Sequence, residues 1–242
     1  MTPTPAEDAI ARRHGHLVER VNSACRRAER NPDDVSLVTV SKGRSAPEVA
    51  SAVRAGLKIF GENRAQEFRE KYSLLEDLDL GIEWDFIGRL QPNKVRLVVG
   101  AVRLIHSVDS EDLVEALEER SREIEVSTRI LLQVNVTGES TKAGVNPADA
   151  EVLLRRINGS DHLRPEGLMT MAPQSSDPED ARPAFAGLSA LRDDLEATTG
   201  IALPELSMGM TDDFEVAVEE GATLIRIGRA LFEAGTFGED GG

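Results

Sequence analysis

Three short stretches of the chain carry residue types that can act together on a phosphorylated carbonyl compound. Lys42, in Val40-Ser41-Lys42-Gly43, is one of only five lysines in a chain that otherwise relies on arginine. A lysine amine that sheds its proton is a nucleophile toward an aldehyde. The second stretch, Ser207-Met208-Gly209-Met210-Thr211, sets a hydroxyl and a glycine before a helical pattern, and the third, Arg226-Ile227-Gly228-Arg229-Ala230, repeats the glycine. Free N–H groups and the positive end of a helix dipole suit a phosphate at such turns. Arg226 adds a cation able to face a ring nitrogen and keep it unprotonated, which weakens the ring as an electron sink. Taken singly, a lysine in a loop reads as a solvated charge and a glycine at a strand-to-helix turn as ordinary loop chemistry. Together they fit a phosphorylated aldehyde held as a Schiff base.

The elements that must bring these stretches together are legible as an alternation. Thr4-Pro5-Ala6-Glu7 and Ser45-Ala46-Pro47-Glu48 have the form of capping boxes with proline at the first helical position. The first opens a helix in which Ile10, Leu17, Val21, Ala24 and Ala28 recur at helical spacing to about Arg30. Strand candidates follow at Val35–Val40, Lys58–Phe60, Trp84–Gly88, Arg103–His106, Thr128–Asn135, Leu163–Leu168, Leu203–Ser207 and Thr223–Ile227. Helical patterns lie between them, opened by Ser110, Asn146-Pro147, Asp177-Pro178 and Thr211, so a helix is expected after every strand. Eight such repeats in close to about 250 residues predict an α/β chain with one closed (β/α)8 barrel of TIM type and an extra N-terminal helix. The helix is expected over about 5–30, the barrel over about 35–234 and a frayed tail over 235–242, with the whole of 1–242 as one domain. Reactive groups in such barrels sit at the carboxyl ends of strands, and phosphates commonly rest after strands seven and eight. Lys42 follows strand one, and the two glycine turns follow strands seven and eight.

Composition narrows the partners. A formal charge of −15, with arginines scattered through acidic helices, argues against nucleic-acid binding. One cysteine, Cys25, and four histidines without ligand spacing (His14, His16, His106, His162) exclude a disulfide scaffold and a Cys/His zinc site. No apolar run reaches membrane-spanning length, so no membrane partner is expected and the cytoplasm is the expected compartment.

Longer motifs add to these residues. The chain closely resembles the pyridoxal phosphate homeostasis proteins, single-domain relatives of the alanine racemase barrel. The resemblance covers nearly the whole chain and is carried by Val40-Ser41-Lys42, Phe60-Gly61-Glu62-Asn63-Arg64-Ala65-Gln66-Glu67 and Trp84-Asp85-Phe86-Ile87-Gly88-Arg89-Leu90-Gln91-Pro92-Asn93-Lys94. Further on it runs through Ile105–Asp109, Gln133-Val134-Asn135 with Glu139, Lys142 and Gly144, Gly167–Thr170, Leu206–Met210 and Arg226-Ile227-Gly228. It implies pyridoxal 5'-phosphate (PLP) as the cofactor, carried as a Schiff base on Lys42. It also implies Asn63 near the ring, Ser207 with the neighbouring Met208-Gly209 turn and the Gly228–Arg229 turn on the phosphate, and Arg226 facing the ring nitrogen. The sequence departs from the pattern at Arg229, where the family usually has Thr or Ser, and at Phe232-Glu233, where it ends in Phe-Gly.

The remaining shared residues have structural readings. Trp84, Phe86 and Ile87 read as packing, Glu62 and Glu67 as a helix-start charge pattern, His106 as a core histidine with a satisfied nitrogen, and Met208 and Met210 as rim fillers. Lys142, in a polar loop, reads as solvated or phosphate-attracting and not as the Schiff-base lysine.

Three functions are open at this point. Racemisation needs a second acid/base group on the far face of the ring, a tyrosine in the racemases, and the only tyrosine, Tyr72, is expected away from the barrel mouth. That favours a non-catalytic, monomeric carrier in PLP homeostasis, which buffers the aldehyde and hands it to apo forms of PLP-dependent enzymes. The alternatives are an amino-acid racemase or lyase with Lys42 as catalytic base, and a barrel binding a sugar phosphate without covalent chemistry.

Overall fold

The computed structural model describes residues 3–139 and 143–233. Lys142 and the expected tail at 235–242 therefore lie outside the described residues. Helix α1 (Pro5–Arg27) precedes β1 (Ser36–Val40), α2 (Ala46–Arg54), β2 (Ile59–Glu62), α3 (Ala65–Leu75) and β3 (Glu83–Phe86). Then come β4 (Leu104–Val108), α4 (Glu111–Glu123), β5 (Thr128–Gln133), α5 (Ala150–Asn158), β6 (Leu163–Met169) and α6 (Arg182–Thr199). The barrel finishes with β7 (Glu205–Ser207), α7 (Phe214–Glu219), β8 (Leu224–Ile227) and α8 (Arg229–Phe232). All eight strands pair in parallel in chain order, and β8 closes on β1. This is the expected (β/α)8 barrel with an N-terminal helix.

Local chemistry explains where several elements begin. The Thr4 hydroxyl accepts from the Glu7 N–H at 3.3 Å and the Glu7 carboxylate accepts from the Thr4 N–H at 2.7 Å. Ser45 and Glu48 repeat this reciprocal cap at α2, and each pair satisfies donors that the first helical turn leaves unpaired.

The observed boundaries depart from the expected ones in instructive places. Helix α1 stops at Arg27 rather than about Arg30, because Glu29 takes a left-handed φ of 54°. Ser110 stands at the start of α4 without a side-chain cap, and Thr211 lies ahead of Asp213, the residue that precedes α7. The strand–helix alternation also breaks once. After β3 the chain makes only a 3-10 turn, Pro92–Leu97, so not every strand is followed by an α-helix.

Side chains alternate across each strand, which gives the barrel two apolar layers. Val38, Leu104, Leu131, Met169 and Leu224 fill the interior. A larger outer layer packs strands on helices, and it includes the aromatic cluster of Phe60, Phe68 and Trp84, with Trp84 ring centroids 5.9 Å from Phe60 and 5.7 Å from Phe68. The buried face of α1, formed by Ile10, Leu17, Val21, Ala24 and Cys25, belongs to this outer layer. Arg20 and Arg27 of α1 pair with Glu215 and Glu219 of α7.

At the carboxyl ends of β2 and β3 the backbone comes unusually close. A Cβ on Gly88 would lie 2.1 Å from the Asn63 carbonyl oxygen, and the Ser107 hydroxyl donates to the Gly88 carbonyl. Gly88→Ala must therefore push two main-chain segments apart. The expected result is a loss of about 1–3 kcal/mol, the usual cost of overpacking, measured as a lowered midpoint in urea unfolding.

Candidate functional site

The turn after β1 presents Lys42. Its side chain is exposed and makes no hydrogen bond or ion pair with a described residue. Its setting is fixed from beneath by a buried ionic cluster. Lys71 of α3 donates to the Ser41 carbonyl at 2.6 Å, to Glu62 Oε1 at 2.6 Å and to Glu67 Oε1 at 2.9 Å. The Ser41 hydroxyl donates to Glu62 at 2.7 Å, and the Gly43 N–H donates to Glu67 at 2.6 Å. Residues on both sides of Lys42 are thus tied to one cluster.

Burial pushes the Glu62 carboxyl above its usual range, with Lys71 and Ser41 pulling against it. For Glu67, partial burial is outweighed by Lys71 and the Gly43 N–H, and its carboxyl is held below the usual range. Glu67 stands in the first turn of α3 as a helix-start charge would, whereas Glu62 ends β2 and is buried, and both do more than that. They hold the Lys42 turn through Lys71, a residue that sequence reasoning passed over. The available signal was the i,i+4 spacing of Glu67 and Lys71.

The barrel interior carries a second polar chain. Arg103 forks onto Asp85 at 3.0 and 2.6 Å, and Asp85 meets His106 Nε2 at 3.0 Å. His106 Nδ1 lies 2.8 Å from the Ser207 hydroxyl. Arg226 donates to Ser207 Oγ at 2.6 Å and to the Thr170 carbonyl at 2.9 Å. Donor accounting fixes the direction: the Asp85 carboxylate only accepts, so Nε2 of the neutral ring carries the proton, Nδ1 is the acceptor, and Ser207 Oγ accepts from Arg226 while donating to Nδ1. Nε2–H then faces the Asp85 carboxylate. Complete burial lowers the His106 pKa against the pull of Asp85, which keeps the imidazole neutral in this tautomer. Burial also brings the Arg226 guanidinium down to about 10, with Asp213 opposing, so it remains a cation at neutral pH.

The remaining expected residues fall at the same end of the barrel. Asn63 follows β2, and its Oδ1 is buried without a hydrogen-bond partner. After β7, Met208 is buried, whereas Met210 is 39% exposed at the rim. Gly209 adopts φ 90°, and a Cβ there would meet the Ala217 Cβ at 2.5 Å, so this turn requires glycine. Its carbonyl accepts from the Arg226 N–H at 3.0 Å, which locks the β7 turn to β8. The backbone N–H groups of Gly209, Thr211, Gly228 and Arg229 donate to no described residue. The Arg229 guanidinium is turned to Asp212 on the surface.

The structure thus joins Ser207, Gly209 and Arg226 directly, and sets Lys42, Asn63 and Gly228 at the ends of β1, β2 and β8. The Ser207 hydroxyl is already engaged by His106 and Arg226. His106 is the expected core histidine, fully buried, and both of its satisfied nitrogens link the two sides of this layer.

Comparison with known proteins follows from this arrangement. The family described as alanine racemase, N-terminal domain, matches residues 14–235. A pyridoxal phosphate homeostasis protein of Aquifex aeolicus is 45% identical over 220 residues, which cover 91% of this chain and 96% of the relative. A crystal structure of a protein from Bifidobacterium adolescentis superposes with a TM-score of 0.89 at 33% identity, over 96% of this chain and 98% of that one. The structure of PipY from Synechococcus elongatus with PLP bound has a TM-score of 0.80 at 36% identity, over 92% and 99% of the two chains. The chain belongs to the alanine racemase N-terminal domain family and, within it, to the pyridoxal phosphate homeostasis proteins.

Two outcomes test the site's electrostatics. Lys71→Met strands the Glu62 carboxylate without a counter-charge and is expected to cost about 3–5 kcal/mol. Adding Glu62→Gln should restore most of that loss in chemical denaturation. His106 stays neutral in the fold but takes up a proton on unfolding, so its contribution falls as pH drops below the ordinary imidazole value of 6.5. Unfolding free energies at about pH 7.5 and 5.5 should therefore differ less in His106→Gln, which keeps a donor and an acceptor, than in the wild type.

Proposed function

We propose that this chain is a PLP-binding protein of intracellular PLP homeostasis, which retains the cofactor covalently through Lys42 and releases it to apo-enzymes. The observation that carries this reading is the free, exposed Lys42 amine on a turn locked by the buried Lys71 cluster, at the same mouth as the glycine turns of β7 and β8. Family membership and the PLP-bound PipY structure support the same ligand.

The residues present fit the cofactor on their own chemistry. The unspent N–H groups at Gly209, Thr211, Gly228 and Arg229 form a donor set for a phosphate dianion. The unpartnered Asn63 amide end is suited to a polar ring substituent. Met208 lines the turn from its buried side and supplies shape rather than charge. Ser207 reaches a phosphate only by turning its hydroxyl away from His106, so its first role is to hold Arg226 in place. Bound PLP supplies a reactive aldehyde and a ring that withdraws electrons to the degree that its nitrogen is protonated.

Arg226 spends two of its five donors on Ser207 and Thr170 and keeps its proton. Facing a ring nitrogen, it offers a hydrogen bond and no proton, which disfavours amino-acid turnover. The titratable groups beneath Lys42, namely Lys71, Glu62 and Glu67, are spent on one another and on its turn. Tyr72 packs on Phe68 with ring centroids 5.6 Å apart, and both His106 nitrogens are engaged. These features support a non-catalytic carrier over a racemase or lyase.

Incubation with PLP, borohydride reduction and peptide mass mapping is the decisive experiment. A stable adduct is expected on the peptide containing Lys42, with none in Lys42→Ala at unchanged far-ultraviolet circular dichroism. An unmodified wild type would refute covalent retention, and steady amino-acid turnover lost in Lys42→Ala would make the protein an enzyme.

A further inference from the structure

Beside the Lys42 mouth, a cavity of about 500 Å³ opens at the carboxyl ends of β2 and β3. Arg64, Arg89 and Lys94 line it, and none of the three makes a hydrogen bond or ion pair with a described residue. Unpaired cations occur elsewhere on the surface, Arg96 and Arg122 among them, but here three of them line one cavity. At a net charge of −15 carboxylates outnumber cations, and arginines elsewhere are paired repeatedly, as Arg182 is with Glu179, Glu219 and Glu220.

The acidic residues of the cavity offset these cations only in part, Glu67 being attracted to Arg64 as well as to Lys71. Glu67 is turned to Lys71 and the Gly43 N–H, which leaves Glu70 as the carboxylate facing them at the exposed rim. Helix α3 starts here without a side-chain cap, so its first N–H groups add positive potential to the same space. The walls are held in place as well. The contact of Gly88 with the Asn63 carbonyl, and the Ser107 bond behind it, clamp the loop of Arg89 against that of Arg64. Asn63, whose Oδ1 is buried without a partner, also lines the cavity.

We propose that this cavity is a second, reversible anion site that takes the phosphate group of a small phosphate ester, next to the covalent seat. Arg64 and Arg89 supply planar donors for phosphate oxygens and Lys94 a point charge. The inference goes beyond covalent retention and rests on that reading only for its nearness to Lys42.

The test is calorimetric titration of protein loaded with PLP and fixed by borohydride, which removes the Lys42 seat from competition. The probes are inorganic phosphate, pyridoxine 5'-phosphate, which has no aldehyde, and pyridoxine. One further equivalent of phosphate, of pyridoxine 5'-phosphate or of both is expected to bind, weakened by added salt and by about tenfold or more in Arg64→Ser/Arg89→Ser. Uptake of inorganic phosphate assigns the site to the phosphate group itself, and uptake of the ester alone assigns it to a phosphorylated ring compound. No further equivalent, equal affinity in the double variant, or equal binding of pyridoxine would overturn the proposal. Failure of PLP to attach at Lys42 would refute the function instead. Phosphorus NMR of the unloaded protein against the double variant would then decide the cavity separately.

Discussion

Closure of the ladder between β8 and β1 is the constraint on which the site depends. Val38 of β1 pairs with Ile59 of β2 on one side and with Arg226 of β8 on the other. That register brings residues separated by most of the chain's length onto adjacent strands, all pointing their carboxyl ends to one mouth. The interior below is filled by Val38, Leu104, Leu131, Met169 and Leu224. A polar chain that bridges β3, β4, β7 and β8 forms beside these apolar side chains, where Asp85, His106, Ser207 and Arg226 meet.

Buried charge is costly unless paired, and the protein meets that cost in two separate places with different outcomes. Around Lys71 the three bonds of one ammonium organise the turn on either side of Lys42 and leave the Lys42 amine itself unengaged. In the interior, Arg226 is fixed through neutral partners, a hydroxyl and a carbonyl, and keeps its positive charge. One cluster thus holds a nucleophile in position, while the other holds a cation whose proton is not available.

Much of this was legible from particular residues. The capping boxes at Thr4 and Ser45 open helices as read, because a cap is a contact between residues three apart. Lys42, Gly209 and Gly228 were located by their place after strands one, seven and eight. What local sequence does not show are partners distant along the chain. Nothing near His106 indicates that Asp85 and Ser207 take its two nitrogens, and nothing near Glu62 shows that Lys71 is buried against it. Nothing near Arg229 shows that Asp212, on the preceding βα turn, holds its side chain.

By itself the sequence determined the alternation of strands and helices, the barrel it implies and the family, since each follows from local periodicity, short-range caps or contiguous motifs. Only the tertiary structure decided which polar groups are spent and which are free. Hydrogen bonds and ion pairs across the barrel depend on register and burial, which set dielectric and geometry together. Those distances separate the engaged Ser207 and His106 from the free Lys42, and they gather Arg64, Arg89 and Lys94 around one cavity.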